Sequence, residues 1–432
     1  MDRDGLAVMP ESAPSVTTAP PPRTRRGTFR ALHSRSFRIY FGGQVASASG
    51  TFLQQTAIGW LVLQLTHSAS MLGLVLAVGG LPSLLFGPWG GAIADRVDLR
   101  RLLIVTQVLY AALAGLLWAL AAAGAATIPA LVSIGVAGGI VSIVDSPARQ
   151  AFVSALVPPD DLASAVSLNG VVVNGARVIG PALAGALIVT VGTTPCFAVN
   201  AVSYLAVIAA LLLIHPTHPG RRPASASGVL AALDYARGRQ QLWLPLVMMA
   251  LVGLLAFNFA VILPVLAEQT LHGGGGTYSL LSTMLSIGSV AGSLAVGLIH
   301  HPRRIYLASA ALAFGIGLAL TALVPGVAAA CVTLLLTGVA AFCFVTLAST
   351  TLQLHSAPAF RGRIMALWVF VYLGTTPIGS VLTGWTVSAG GPRAALWVGA
   401  GSCLLAAAIA FRVHTPPHPD AALTDLDPSV RG

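Results

Sequence analysis

The sequence predicts an all-α integral membrane protein: twelve transmembrane helices in two pseudo-symmetric six-helix halves. Three observations lead there. Of its 432 residues, 56% are hydrophobic and only 8% charged, too little charge to hydrate a soluble chain of this length. Apolar stretches long enough to cross a bilayer recur from one end to the other. The arginines fall almost wholly on alternate connections between those stretches.

The spans are read at 39–65, 69–94, 102–123, 127–145, 166–191, 194–214, 242–267, 277–299, 305–324, 327–353, 364–388 and 392–411. With an even number, both termini share one side. That side receives Arg3, Arg23, Arg25, Arg26, Arg30, Arg35 and Arg38, then Arg96, Arg100 and Arg101, Arg149, Arg221, Arg222, Arg237 and Arg239, Arg303 and Arg304, Arg361 and Arg363, and Arg412 and Arg431; the other receives Arg393 alone. Positive residues stay in the cytoplasm, so both termini are expected there, in a multi-pass protein of a bacterial inner membrane.

Residues 1–36 are rich in Pro, Arg and Thr and have no apolar core of a signal peptide, so they read as a disordered cytoplasmic tail. The N-terminal half covers 37–214, a cytoplasmic linker 215–241, the C-terminal half 242–412, and a second tail 413–432. Within the linker, Val229 to Arg239 is expected to form an interfacial helix, with Leu230 and Leu233 toward lipid and Asp234 and Arg237 toward water. A weak internal repeat supports two like halves: Pro159, Leu168, Gly180 and Gly185 recur at the same spacing as Pro358, Leu367, Gly379 and Gly384.

The composition also excludes. A net charge of +10 suggests nucleic acid, but the arginines are scattered over short turns, and no nucleic-acid partner is expected. The four cysteines lie in apolar runs without ligand spacing, so no metal, cofactor or disulfide framework is expected. No nucleophile, metal cluster or pair of acids lies at membrane depth, which argues against an enzyme.

The most specific segment is the charged hairpin Gly90 to Arg101 between the second and third spans. Its Gly91, Asp95, Arg96, Asp98, Arg100 and Arg101 resemble the loop between helices two and three of the major facilitator superfamily, with Asp98 where that family has glycine. The resemblance implies a secondary transporter. It further implies that Asp95 sits at the N-terminus of helix eleven, satisfying its partial positive charge and latching the cytoplasmic side shut. Arg96, Arg100 and Arg101 would supply neighbouring pairs, and Arg361 and Arg363 the opposing surface. The plain alternative is an ordinary charged turn that anchors orientation.

Two further charged places stand out. Asp145 and Arg149, one helical turn apart at the end of span four, pair if the helix continues past Pro147. They are candidates for coupling to protons, the expected coupling ion, or else a structural ion pair. Arg177 lies mid-way along span five, where a lipid-facing arginine costs about 2.5–3.5 kcal/mol, so it must face the bundle interior or a water-filled cavity. It is either a substrate or coupling residue or an interhelical tether. In the same span, Gly180, Pro181 and Gly185 resemble part of the superfamily's antiporter motif, with Ala176 at an expected glycine.

Polar and aromatic stripes suggest a central cavity for an amphipathic small molecule: Gln44, Ser47, Thr51 and Gln55 in span one, Asn174 in span five, Asn258 in span seven, and Trp368, Tyr372 and Thr375 in span eleven. Each stripe is equally suited to helix packing. The interior of span four lacks the arginine of many proton-driven exporters, so the resemblance alone does not carry proton coupling. Residues 37–412 resemble a bacterial branch that includes the enterobactin exporter and drug efflux proteins. That implies an exporter, expected to act as a monomer, of a drug-like compound, secondary metabolite or siderophore. An importer on the same fold, or a non-transporting sensor or scaffold, is the competing reading.

Overall fold

The computed structural model describes residues 29–94, 96–214, 229–299 and 303–412, and in them the regular structure is helical. The N-terminal half contains α1 (Arg35–Thr66), α2 (Ala69–Ala94), α3 (Leu99–Ala122), α4 (Ile128–Ala155), α5 (Leu162–Val191) and α6 (Thr194–Leu213). After α7 (Val229–Arg237) come α8 (Gln240–Leu255), α9 (Phe259–Val265), α10 (Gly275–Val296), α11 (Arg304–Ala322), α12 (Val327–His355) and α13 (Pro358–Arg412). Ten of the described helical stretches are long and apolar enough to cross a membrane. One of these, 360–412, holds two spans, and α1 adds another whose apolarity is diluted by Gln44, Ser47, Thr51, Gln54 and Gln55.

Local chemistry places the ends. Ser34 caps α1 by accepting from the Phe37 amide, and His67 closes it with φ of 48°. Asp98, the residue that replaces glycine in the hairpin, caps α3 by accepting from the Arg101 amide at 2.8 Å. Gly391, at φ of 77°, breaks α13 between its two spans, a conformation that favours a residue without Cβ.

Three expectations are corrected. Span four does not stop at Asp145; α4 runs through Pro147 to Ala155 and carries Arg149 inside it. The missing amide of Pro147 is tolerated because neighbouring helices and the Asp145–Arg149 pair hold the turn. Span seven is not one helix: it breaks at Ala256–Asn258 between α8 and α9 and ends in a π-turn over Leu266–Thr270. The linker helix α7 leans on the C-terminal half, and Leu233 turns inward rather than toward lipid, while the side chain of Leu230 lies outside the described residues. Ala232 and Ala236 are buried, Leu233 packs against the core, and Tyr235 stacks on Phe360 with ring centroids 4.3 Å apart. Asp234 and Arg237 do face out.

The pairing of helices repeats between the halves. In the first, α1 packs on α5, α2 on α4 and α3 on α6; in the second, α8 packs on the first span of α13, α10 on α12, and α11 on the second span of α13. The repeated glycines occupy matching places. Gly180 lies against Ser49, Phe52 and Leu53 of α1, while Gly379 lies against Leu254 of α8 and Asn258 in the break that follows it. Gly185 meets Ser279 across the divide, and Gly384 meets Ala69 and Ser70 across it the other way. A Cβ at any of the four would collide, so these glycines let helices approach.

The halves meet chiefly along α2–α13 and α5–α10. Their contacts gather toward the end where α1 turns into α2: Trp60 stacks on Tyr278 at 6.4 Å, and His67 Nδ1 lies 3.6 Å from Glu268. At the other end Arg96, Asp98, Arg101, Arg361 and Arg363 are exposed, and among the described residues no hydrogen bond or ion pair joins the halves there. The contacts of the described residues thus hold the bundle at one end and leave it parted at the arginine-bearing one.

Candidate functional site

The hairpin residues divide. Asp95 lies outside the described residues, so its contact with the first span of α13 does too. Asp98 caps α3. Arg100 is turned within its own half, donating from Nε and Nη2 to the carbonyls of Leu211 and Leu212 at 2.7 and 2.8 Å, where it satisfies the C-terminal end of α6. Arg96 and Arg101 are exposed. Opposite them, Arg361 is exposed and Arg363 stands over the Phe360 ring at 5.3 Å. Gly91 lies in the last turn of α2, one residue after Gly90, which lies against the Ile143 backbone of α4.

Asp145 and Arg149 form one connected buried site. Arg149 Nη2 donates to Asp145 Oδ2 at 2.7 Å. Thr106 Oγ1 and Gln107 Nε2 of α3 donate to Asp145 Oδ1 at 2.7 and 2.9 Å. Arg149 Nη1 donates to Gln44 Oε1 of α1 at 2.5 Å. Three helices therefore share one neutral cluster with almost every polar atom paired, which is what burial demands. The Thr106–Gln107 pair escaped the sequence reading, although two adjacent polar residues in an apolar span were a visible signal.

Arg177 stands in different company. Its Nε is buried and has no hydrogen-bond partner, and among the described residues no carboxylate pairs with it. Its guanidinium faces the ring of Phe52 in α1 at 5.6 Å and that of Phe342 in α12 at 4.9 Å. Rings then continue into the second half: Phe342 to Phe257 at 6.3 Å, Phe257 to Tyr372 at 6.1 Å, and Tyr372 stacked on Trp368 at 6.3 Å. A ring face is worth about 0.5–2 kcal/mol to a cation, whereas desolvating an ion costs several kcal/mol. The rings alone leave that charge under-compensated. Phe52 and Phe342 had no sequence signal, because an isolated phenylalanine in a span looks like any lipid-facing or core residue.

The other cavity candidates are spread. Gln55 is exposed and Asn174 half-buried. Thr51 turns toward α6, donating to the Ser47 carbonyl at 2.9 Å with its Oγ1 3.3 Å from the Tyr204 hydroxyl. Asn258 donates to the Leu254 carbonyl at 2.8 Å and packs against Gly379. Thr375 donates to the Val371 carbonyl at 3.0 Å and packs against Gly253. Pro181 is buried beside Gly180. The structure thus brings Tyr372 and Trp368 into line with Arg177, and sends Gln44 to Arg149. A separate recess of about 590 Å³ lies at the joined end, lined by Trp60, Gln64 and Gly274–Thr277, and none of the cavity candidates borders it.

Residues 26–430 match the model of a family described as transmembrane secretion effector. The staphyloferrin A transporter of Staphylococcus aureus is 30% identical over 267 residues, 60% of this chain and 66% of that protein. The multidrug efflux pump Tap of Mycobacterium tuberculosis is 25% identical over 385 residues, 83% of this chain and 88% of that one. Among solved structures, a bacterial homologue of the human lysosomal transporter Spinster, inward-facing and unoccupied, superposes with a TM-score of 0.68 at 15% identity, over 87% and 96% of the two chains. A D-xylose-proton symporter does so at 0.67 and 17%, over 88% and 96%. At such identity the likeness concerns the fold.

Proposed function

The chain belongs to the transmembrane secretion effector family, and from that premise we propose that it exports a small amphipathic organic molecule across a bacterial inner membrane by alternating access, driven by protons. One observation carries the reading: two six-helix halves are joined at one end and parted at the other, with an arginine and a line of aromatic rings between them. Repeated halves rocking about a central site are how such carriers work. The arginine-rich end is assigned to the cytoplasm, together with both termini, so this is the inward-open state. The curated relatives named as efflux pumps support the outward direction of transport.

Asp145 is the coupling candidate in this reading: its carboxylate holds Arg149, which touches Gln44 on α1, the helix that carries Phe52.

The test is accumulation of fluorescent amphipathic dyes and of a labelled catecholate siderophore in cells with and without the protein, before and after collapse of the proton gradient. Lower accumulation that rises on collapse is the expected result; higher accumulation in cells with the protein would make it an importer. Asp95→Asn is expected to weaken transport while the protein stays in the membrane. Full activity in that variant would remove the latch from the mechanism.

A further inference from the structure

Arg177 is a charge in want of a partner. Among the described residues, the charged side chains set inside the bundle are Asp145, Arg149 and Arg177, and the first two pair with each other. What remains is one positive charge between the halves, with a buried Nε that has no acceptor and two rings in place of a counter-ion. A tether would be built otherwise: an arginine that binds helices together takes carbonyls or a carboxylate, as Arg100 and Arg149 do in this chain.

We propose that Arg177 receives an anionic group of the cargo, so that this carrier selects amphipathic organic anions, a carboxylate attached to an aromatic or apolar body being the simplest. This rests on the reading above that the space between the halves takes the cargo. The anion supplies the missing acceptor for Nε, and the bond is charge-assisted. The body of the molecule lies along Phe257, Tyr372 and Trp368, the rings that lead away from Arg177 into the second half. The same arrangement acts against cations. An aromatic wall ordinarily welcomes them, but the face of Phe342 already holds a guanidinium at 4.9 Å, which repels a second positive charge. Phe52 and Phe342 belong to opposite halves. Drawing Arg177 onto an anion therefore also withdraws it from a contact between the halves, which links occupancy to their movement.

The experiment uses the full chain in proteoliposomes and three probes of one shape: pyrenebutyrate, its neutral amide, and the pyrenebutylamine cation. Binding is read from fluorescence and transport from flux. The wild type is expected to bind the carboxylate about tenfold or more tightly than the amide, the effect of one charge-assisted hydrogen bond, and the amine no better than the amide. Arg177→Gln should bring the carboxylate down to the affinity of the amide in the same variant, and Arg177→Lys should keep part of the preference. If Arg177→Gln does not fold, Arg177→Met replaces it, and the wild-type series decides on its own in any case. Equal affinity for carboxylate and amide in the wild type, or a preference that survives loss of Arg177, would overturn the proposal. If the amide or amine is transported and the carboxylate is not, the carrier reading stands and this inference fails. If none of the three is bound, both fall.

Discussion

Arg149 and Arg177 are both half-buried inside the bundle, and their surroundings differ in kind. Arg149 has a carboxylate and an amide oxygen at hydrogen-bond distance, and its carboxylate has two further donors. Arg177 has two rings and an unpaired Nε. The first site is complete within one half of the molecule, so its charges belong to the protein. The second lies between the halves, with rings in place of a counter-ion, and is the place where the proposed anionic cargo would supply one. A membrane protein can hold a charge at depth in either way, and the presence or absence of an internal counter-ion tells which.

Three changes break or sharpen that contrast. The largest effect is expected from Asp145→Ala, which leaves Arg149 buried and unpaired; thermal unfolding in detergent should show a loss of about 3–5 kcal/mol, much of it regained in the double variant with Arg149→Met. An additive double variant would mean that the two charges do not act as a pair. Gln44→Leu removes one acceptor of Arg149 and should cost about 1.5–3 kcal/mol by the same measurement. The smallest effect is expected at Arg177→Met, within about 1 kcal/mol of wild type, because loss of the ring contacts is offset by loss of a poorly solvated charge. A destabilisation there as large as that of Asp145→Ala would make Arg177 a structural tether after all.

The joined and parted ends teach the same lesson on a larger scale. At the joined end, Gly185 and Gly384 admit Ser279 and the turn at Ala69. At the parted end, Arg361 and Arg363 sit exposed at the start of α13. Small residues bring the halves together where they touch, and exposed charges line the end where the described residues do not.

Much of the fold was legible because its signals are local. Span length and arginine placement answer to the bilayer, which imposes its thickness and its charge asymmetry on each segment separately. The repeat of Gly180 and Gly185 in Gly379 and Gly384 was visible for the same reason, though its meaning as matched packing needed the neighbours. The oddity of Arg177 and the spacing of Asp145 and Arg149 could likewise be read from the chain. The continuation of α4 through Pro147 could not, since the helix is kept by contacts with α1 and α3 that lie far away in sequence. Nor could the turning of Thr51 to Tyr204 and of Arg100 to α6, because a polar stripe does not state which of several neighbours will claim it. The sequence by itself determined that the chain spans a membrane, how often, and which residues carry charge into it. Only the tertiary structure decided which of those charges are neutralised and which is left facing aromatic rings, because pairing depends on distances between helices that no single span encodes.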